Sequence, residues 1–299
     1  MGTTCKTSAG KGQDANLQRE FLEKEKRKPD GIQSKLTQNA IKTNFPNAMK
    51  NRDVEQKTFE VLHNLGFTYE NTLFADSSCP DEINHNGDDI TSMFMHRWGE
   101  MFPLSGLAGL PFAGQTGWGA FSSHCPKDGN IVICFAPHVG IDCNGTVGKV
   151  HRNGIENTTT ACGAAVGAYN AVAGNQDPNQ FKNGYADHQM DCIKHLVADR
   201  VKNIKGADNE MATLAFQMYE IISEFLDNII DMKWGGQNSK IAIVGGIMIN
   251  SDGARTDRFL PLKFELVHKS GARDDIFKGT FGFEPYVSNN DYKKSTRDY

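Results

Sequence analysis

The sequence lacks the features that mark several large classes of protein. None of its apolar runs approaches the roughly 20 residues that a membrane-spanning helix needs, so we expect no membrane span. Positive charge is not in excess: 32 Lys and Arg face 36 Asp and Glu, and the net charge is −4. We therefore expect no nucleic-acid partner, because such a partner requires a concentrated basic surface. The first residues contain no apolar segment typical of secretory signals, which predicts a cytoplasmic protein and leaves organelle targeting open.

Short metal and nucleotide motifs are also missing. The chain has no C-x-x-C or H-E-x-x-H pattern, and the H-x-E…P-C-x-x-C signature of zinc deaminases is absent. A glycine-rich stretch at 106–124 approaches a phosphate-binding P-loop over residues 109–116, but Gln115 stands where that loop needs a Lys to neutralise phosphate charge. A tight loop that glycine permits is therefore favoured over a nucleotide site.

The remaining composition is that of a globular protein, with 38% hydrophobic residues and 30 Gly in 299 residues. Apolar runs predict strands at 71–79, 130–141, 240–250 and 260–269. Helical spacing of apolar residues predicts helices at 54–67, 89–102, 161–174, 188–204 and 211–232. This alternation predicts an α/β fold with a mainly parallel or mixed central sheet flanked by helices.

The distribution of polar residues predicts one folded domain between two tails. Residues 1–45 are rich in Lys, Glu, Gln, Asn and Gly and predict a polar, flexible N-terminal tail. Residues 286–299 predict a polar C-terminal tail. Between them, residues 46–285 contain neither a repeat at fixed period nor a convincing linker, so we expect a single domain there.

Two cysteines and one histidine fall where predicted strands or helices end. Cys79 follows an apolar run, His138 follows the clearest buried strand, and Cys162 begins a helix whose N-terminal dipole would stabilise a thiolate. Sites in open α/β sheets gather at the carboxyl ends of strands, so the three side chains could converge. A Cys, His and Cys set suits Zn²⁺ and leaves one position for water. Spacing alone still favours buried, inert cysteines.

Longer motifs carry a more specific resemblance. Between residue 79 and about residue 170 stand CPDEIN, WGEMFPLSGLAGLPFAGQTGWGAFSSH, FAPHVGIDCNGTVGKVHRNG and TACGAAVGAY. They resemble the limiting-CO2-inducible protein B/C family, theta-class carbonic anhydrases with a fold like that of the beta class, and weaker similarity extends over most of 45–285. The resemblance implies a beta-carbonic-anhydrase-like domain at 46–285, a homodimer, and Zn²⁺ held by Cys79, His138 and Cys162.

The resemblance also implies the reaction, which is reversible hydration of CO2 to bicarbonate by a zinc-bound hydroxide. Two thiolates cancel the formal charge of the metal, so Zn²⁺ should acidify water less here than in a three-histidine site. The family places an Asp two residues after the first Cys, which corresponds to Asp81. Its carboxylate could accept the proton of the hydroxide and orient it toward CO2, or it could occupy the fourth zinc position and close the site.

The partner of Asp81 decides between these states. Beta-class enzymes pair this Asp with the Arg of a C-x-D-x-R sequence, but Ile83 stands at that position. Arg97, in the family-matching segment MHRWGE, is the nearest downstream arginine, and we predict that it reaches Asp81; the alternative is a surface helix residue. The competing hypothesis for the whole chain is a non-catalytic zinc-binding homologue that acts as a structural or inorganic-carbon-sensing interaction protein.

Overall fold

A computed structural model describes residues 32–174, 186–253 and 256–287 of the chain. Most of both predicted tails, at 1–31 and 288–299, lies outside the described residues. Within these ranges, none of the helices combines the length and apolarity needed to cross a membrane.

A mixed eight-stranded sheet forms the centre of the molecule. In chain order the strands are β1 (Met49–Lys50), β2 (Thr72–Ser78), β3 (Met101–Pro103), β4 (Asn130–Ala136), β5 (His138–Ile141), β6 (Lys149–Val150), β7 (Thr159–Thr160), β8 (Lys240–Ser251), β9 (Arg258–His268) and β10 (Arg273–Asp275). The order is β1-β9-β8-β4-β2-β3, with β5 also paired to β8 and β10 to β9, while β6 and β7 form a separate pair. Strands β2, β3, β4, β5 and β8 pair in parallel, and β9 is antiparallel to its neighbours. The predicted α/β class with a mainly parallel or mixed sheet is confirmed.

Helices cover both faces of this sheet. They are α1 (Lys35–Asn44), α2 (Asn51–Asn64), α3 (Ile90–Trp98), α4 (Gly114–Ser122), α5 (Gly163–Ala173), α6 (His188–Ile204), α7 (Glu210–Ile229) and α8 (Phe277–Phe281). Alternate residues of β4 enter two different hydrophobic clusters, one containing residues of α4 to α7 and the other residues of α2, α3 and α8. A parallel strand that is buried on both faces has a continuous run of apolar residues in its sequence. This run is the reason why β4 could be predicted.

The predicted strand 130–141 is two strands in the structure. Pro137 separates β4 from β5, since it has no N–H to donate to a neighbouring strand. Its carbonyl oxygen accepts a hydrogen bond of 2.9 Å from the N–H of Met248 in β8. β5 then continues along β8, so the break places His138 at the start of a new strand.

The predicted N-terminal tail needs correction for residues 32–45. Helix α1 begins after Ser34, whose Oγ accepts a hydrogen bond of 3.0 Å from the N–H of Thr37. Ile41 and Phe45 are buried, and the Thr37 hydroxyl donates to the carbonyl oxygen of Asp142 at 2.7 Å. The segment contains few apolar residues, so its composition predicted a tail, but these few are enough to fix a short helix against the domain.

Candidate metal centre

Two parallel strand ends bring Cys79 and His138 together. Ser78, the last residue of β2, pairs with Ala136, the last residue of β4. Cys79 is the next residue after β2, and His138 follows β4 with only Pro137 between them. Both side chains therefore lie at the carboxyl edge of the sheet, where the sequence indicated that they could converge.

Cys162 reaches the same edge through a backbone contact with β5. The N–H of Gly140 donates to the carbonyl oxygen of Ala161 at 3.0 Å. A Cβ atom at Gly140 would lie 2.7 Å from the carbonyl oxygen of Lys149 in β6, so the close approach of β5 to β6, whose partner strand β7 precedes Cys162, requires glycine. Cys162 is the N-cap residue of α5, as predicted.

The three side chains form a compact, buried group. The ligand atoms of Cys79, His138 and Cys162 all lie within 4.8 Å of one another. Their residues are 4%, 3% and 4% exposed, respectively. The two Sγ atoms are 3.7 Å apart. Two thiolates bound to one tetrahedral Zn²⁺ at the usual Zn–S distance would lie about 3.8 Å apart.

His138 presents an unsatisfied nitrogen to this group. Its Nε2 is buried and has no hydrogen-bond partner within the part of the chain that the structure describes. A buried polar atom without a partner is costly, and a metal ion would satisfy the Nε2 lone pair. Together with the spacing of the thiols, this orphaned nitrogen makes the donor set a good fit for Zn²⁺.

The two thiols differ in acidity. The hydrogen bond from Cys79 lowers the pKa of Cys162, and the N–H groups of Ala165 and Ala164 at the start of α5 lower it further, against the opposing effect of burial. The same hydrogen bond, together with burial, raises the pKa of Cys79. Cys162 is therefore the more acidic thiol of the pair, which agrees with the expected effect of the helix N-terminus.

A chain of amides fixes the tautomer of His138. The carbonyl oxygen of Cys79 can only accept, and it accepts from Asn84 Nδ2 at 3.1 Å. The Asn84 Oδ1 atom accordingly accepts from Asn250 Nδ2 at 3.1 Å, and Asn250 Oδ1 lies 2.9 Å from His138 Nδ1. The proton therefore resides on Nδ1, and the lone pair of Nε2 points to the metal site.

Asp257 supports this chain from the other side. Its Oδ2 accepts from Asn250 Nδ2 at 3.5 Å, and its Oδ1 accepts from the N–H of Ser251 at 2.8 Å. Burial raises the pKa of Asp257 to about 6. Sequence reasoning missed Asn84, Asn250 and Asp257, although Asn250 carries a signal, namely a polar residue at the end of a long apolar strand.

Asp81 lies beside the group and is held by Arg152. Arg152 Nη1 donates to Asp81 Oδ1 at 2.7 Å, and Nη2 donates to Oδ2 at 2.8 Å. Asp81 Oδ2 is 3.7 Å from His138 Nε2, but Asp81 is not part of the group of three within 4.8 Å. Burial raises the pKa of Asp81, but the hydrogen bonds and charge of Arg152, the charge of His138 and the N–H of Ile83 together hold this pKa below its usual range.

The guanidinium of Arg152 is itself held in place. Its Nε donates to Thr159 Oγ1 at 2.8 Å, and its Nη2 donates to the carbonyl oxygen of Thr160 at 3.4 Å. Both partners belong to β7, which pairs with β6 just before Arg152. Nη1 also donates to Glu82, an exposed carboxylate.

The predicted contact between Arg97 and Asp81 is not present. Arg97 donates to Glu55 through Nε, and its Cζ lies 4.0 Å above the ring of Phe59. Glu55 is 3% exposed, so a buried carboxylate on α2 takes this arginine as its counter-ion. Arg97 is thus neither the partner of Asp81 nor a free surface residue. Arg152 is the arginine that pairs with Asp81, the role that was predicted for Arg97.

The first half of the glycine-rich stretch forms a tight loop against the site, and its second half forms helix α4 (Gly114–Ser122). Gly109 has a φ of +83°, and a Cβ there would lie 3.0 Å from the carbonyl oxygen of Ala136 and 3.4 Å from the N atom of Cys79. The loop therefore packs on the strand ends that carry the candidate ligands. Trp118 and Phe121 from the following helix are 1% and 3% exposed and belong to the hydrophobic core.

Comparison with known proteins agrees with this geometry. Residues 48–268 match the family described as limiting CO2-inducible proteins B/C beta carbonic anhydrases. The chain belongs to this family. A comparison with functionally curated proteins gave no match.

Solved structures of family members have the same fold. PtLCIB4, a homolog of the limiting CO2-inducible protein LCIB, is 30% identical, with a TM-score of 0.71 over 81% of this chain and 100% of that chain. A mutant form of PtLCIB4 is 29% identical, with a TM-score of 0.73 over 81% and 98%. LCIB itself is 21% identical, with a TM-score of 0.60 over 78% and 96%, and this likeness shows the fold alone.

Proposed function

We propose that the chain is a zinc-dependent carbonic anhydrase that interconverts CO2 and bicarbonate. The observation that carries this proposal is the position of Asp81, whose carboxylate lies 3.7 Å from the orphaned His138 Nε2 and is held by two hydrogen bonds from Arg152. The family match supports the same class of activity.

Cys79, His138 and Cys162 would hold the metal. When bound, zinc supplies a Lewis acid that lowers the pKa of a water ligand toward neutrality. The Cys79 hydrogen bond and the N–H groups at the start of α5 lower the pKa of Cys162, which favours its thiolate form, and the amide chain from Asn84 through Asn250 presents the Nε2 lone pair. The ligands need little rearrangement, since their atoms already lie within 4.8 Å.

Asp81 would orient the attacking water. Because its pKa is held below the usual range, it is a carboxylate at neutral pH and can only accept hydrogen bonds. By accepting the O–H of the water, it would turn the lone pair of the water oxygen toward CO2. Arg152 engages both carboxylate oxygens, so Asp81 would have to break a bidentate pair before it could become a fourth metal ligand.

A non-catalytic zinc protein is the second candidate, and two observations favour it. Ile83 replaces the arginine of C-x-D-x-R, and Glu82 shares Nη1 of Arg152 with Asp81. If this competition draws Arg152 away, Asp81 closes the fourth position and water is excluded. The chain would then act as a structural or inorganic-carbon-sensing homologue.

Isotope exchange at known zinc content separates the two candidates. CO2 labelled with ¹⁸O loses its label to water with each cycle of hydration and dehydration, and mass spectrometry follows that loss. The carbonic anhydrase proposal expects label loss that scales with the zinc content of the protein. Protein with one zinc per chain and no label loss above background would favour the non-catalytic homologue.

We further propose that the working form is a homodimer, as the family resemblance implies, and that it works in the cytoplasm. Light scattering coupled to size exclusion tests the oligomeric state. A mass of about 33 kDa at micromolar concentration, the mass of a single chain, would contradict it.

A further inference from the structure

A second group of metal-ligating side chains lies outside the candidate zinc site. Cys143, His151 and Asp252 each offer one ligand atom, and these atoms all lie within 4.8 Å of one another. Cys143 follows β5, His151 follows β6, and Asp252 follows β8, so three separate segments supply the three donors. Cys143 and His151 are exposed, and Asp252 is partly buried.

Asp252 fixes the backbones of the other two residues. Its Oδ2 accepts from the N–H of Cys143 at 2.7 Å, and its Oδ1 accepts from the N–H of His151 at 2.9 Å. Oδ2 also lies 2.6 Å from His151 Nδ1. These hydrogen bonds hold the backbones of Cys143 and His151 close to the Asp252 carboxylate before any ion binds. Less conformational entropy is therefore lost on binding.

We propose that Cys143, His151 and Asp252 form a second metal site, which binds an exchangeable divalent ion such as Zn²⁺ or Cd²⁺. The donors are one sulfur, one imidazole nitrogen and one carboxylate oxygen, a mixed set that suits borderline and soft ions rather than Mg²⁺ or Ca²⁺. The exposure of Cys143 and His151 leaves room for water at the remaining positions and permits exchange with solvent.

Metal binding at this site releases protons. The Cys143 thiol loses its proton to solvent when the sulfur becomes a ligand. The proton between His151 Nδ1 and Asp252 Oδ2 also leaves, either to the second ring nitrogen through solvent or to the buffer, and the metal replaces it. Affinity for the ion should therefore increase as pH rises.

Two residues of the second site line a cavity whose walls also include residues that hold the first site. This cavity, of about 640 Å³, is lined by His151, Asp252, Arg152 and Asn250 among others. Arg152 holds Asp81, and Asn250 holds the candidate ligand His138. An ion bound at His151 and Asp252 would thus sit one residue along the chain from Arg152 and two from Asn250.

Cadmium titration tests the site, because a thiolate bound to Cd²⁺ gives a charge-transfer band in the ultraviolet. Protein of known zinc content is titrated with Cd²⁺ and followed by absorbance and by metal analysis. We expect one saturable equivalent per chain beyond the metal of the buried site, and we expect Cys143→Ser to remove both the equivalent and its band. His151→Gln, which keeps Asp252 in place, should weaken this equivalent at least 10-fold.

Matched variants distinguish this site from the buried one. Cys125 lies beside Asn130 at the opposite, amino end of β4, so Cys125→Ser should titrate like the wild type. Cys162→Ser disables the buried group but should retain the equivalent that depends on Cys143. The second site is refuted if Cys143→Ser takes up as much Cd²⁺ as the wild type, or if the wild type takes up none beyond the buried site.

Discussion

Arg152 holds Asp81 through both ends of its guanidinium, with Nη1 2.7 Å from Oδ1 and Nη2 2.8 Å from Oδ2. The sequence position at which beta-class enzymes carry this arginine is occupied by Ile83. The chain thus supplies the same chemical pairing from the ribbon of β6 and β7. A fixed, bidentate partner keeps the carboxylate oriented and charged.

The first prediction compares the two arginines. Arg152→Met should leave the zinc content unchanged and lower the rate of CO2 hydration about 100-fold, because Asp81 loses the partner that positions it. Arg97→Met should keep the rate, since Arg97 contacts Glu55 and not Asp81. Stopped-flow rates and metal analysis of both variants check this.

Arg97→Met has its own expected effect on stability. It removes one charged partner of the buried Glu55 carboxylate, which should lower the free energy of unfolding measured by urea titration. If Arg97→Met instead abolished hydration while stability was unchanged, the pairing described for Asp81 would be wrong.

The sequence was sufficient for the sheet class, whereas for Cys79, His138 and Cys162 it indicated only that they could converge, and the family resemblance singled them out as a set. Each of the three follows or begins a strongly apolar or small-residue element, and parallel strand ends must meet at one edge. The predicted helix at 188–204 also coincides with α6 (His188–Ile204). The sheet class and the helix bounds depend on the periodicity of apolar residues and on strand direction, which short stretches of the sequence indicate.

Contacts between side chains of different loops could not be predicted from short stretches of the sequence. Arg152 lies within the quoted FAPHVGIDCNGTVGKVHRNG motif, but only the pairing of β6 with β7 turns it toward Asp81. Arg97 is nearer in sequence, yet its helix faces α2 and the buried Glu55. Nearness along the chain was therefore the wrong criterion for choosing the partner.

The second prediction concerns the amide chain behind His138. Asn250→Leu removes the acceptor of the Nδ1 proton and should lower zinc affinity about 10- to 100-fold. Asn86→Ala is the matched control, because Asn86 contacts Asp257 at 3.4 Å and makes no contact with His138 in the described hydrogen bonds. Chelator competition measures the affinities, and ¹⁵N shifts of His138 report the tautomer. Equal affinities in Asn250→Leu and the wild type would contradict the role of the chain.

The third prediction concerns pH. Burial raises the pKa of Asp257 from 3.8 to about 6, so the folded state keeps this proton to higher pH than the unfolded chain does. The contribution of Asp257 to the free energy of unfolding is therefore fully present below about pH 4, and it is lost as the pH rises through about 6. The free energy of unfolding of the wild type should therefore fall relative to that of Asp257→Asn between pH 4 and pH 7. Urea titrations of both zinc-loaded proteins measure this, and a difference that does not change with pH would contradict it.

The fourth prediction concerns the metal ligands. Cys162→Ser and Cys79→Ser should each release zinc, because a hydroxyl does not replace a thiolate ligand at neutral pH. Cys134→Ala should retain it, since Cys134 is buried in β4 on the sheet face opposite to the cluster that contains Cys79 and Cys162. Metal analysis after dialysis checks all three. Full zinc content in Cys162→Ser would show that the ligand set is wrong.

The most direct test of the proposed function is stopped-flow CO2 hydration by the wild type and by Asp81→Asn at equal, measured zinc content. Asn has nearly the same shape as Asp, but an NH2 donor replaces one of the two acceptor oxygens. The side chain is also neutral and cannot form an ion pair with Arg152. We predict a zinc-dependent rate in the wild type and a loss of about 100-fold or more in the variant, with zinc retained. A wild type that holds one zinc per chain and hydrates CO2 no faster than buffer, or an Asp81→Asn variant as fast as the wild type, would contradict the proposal.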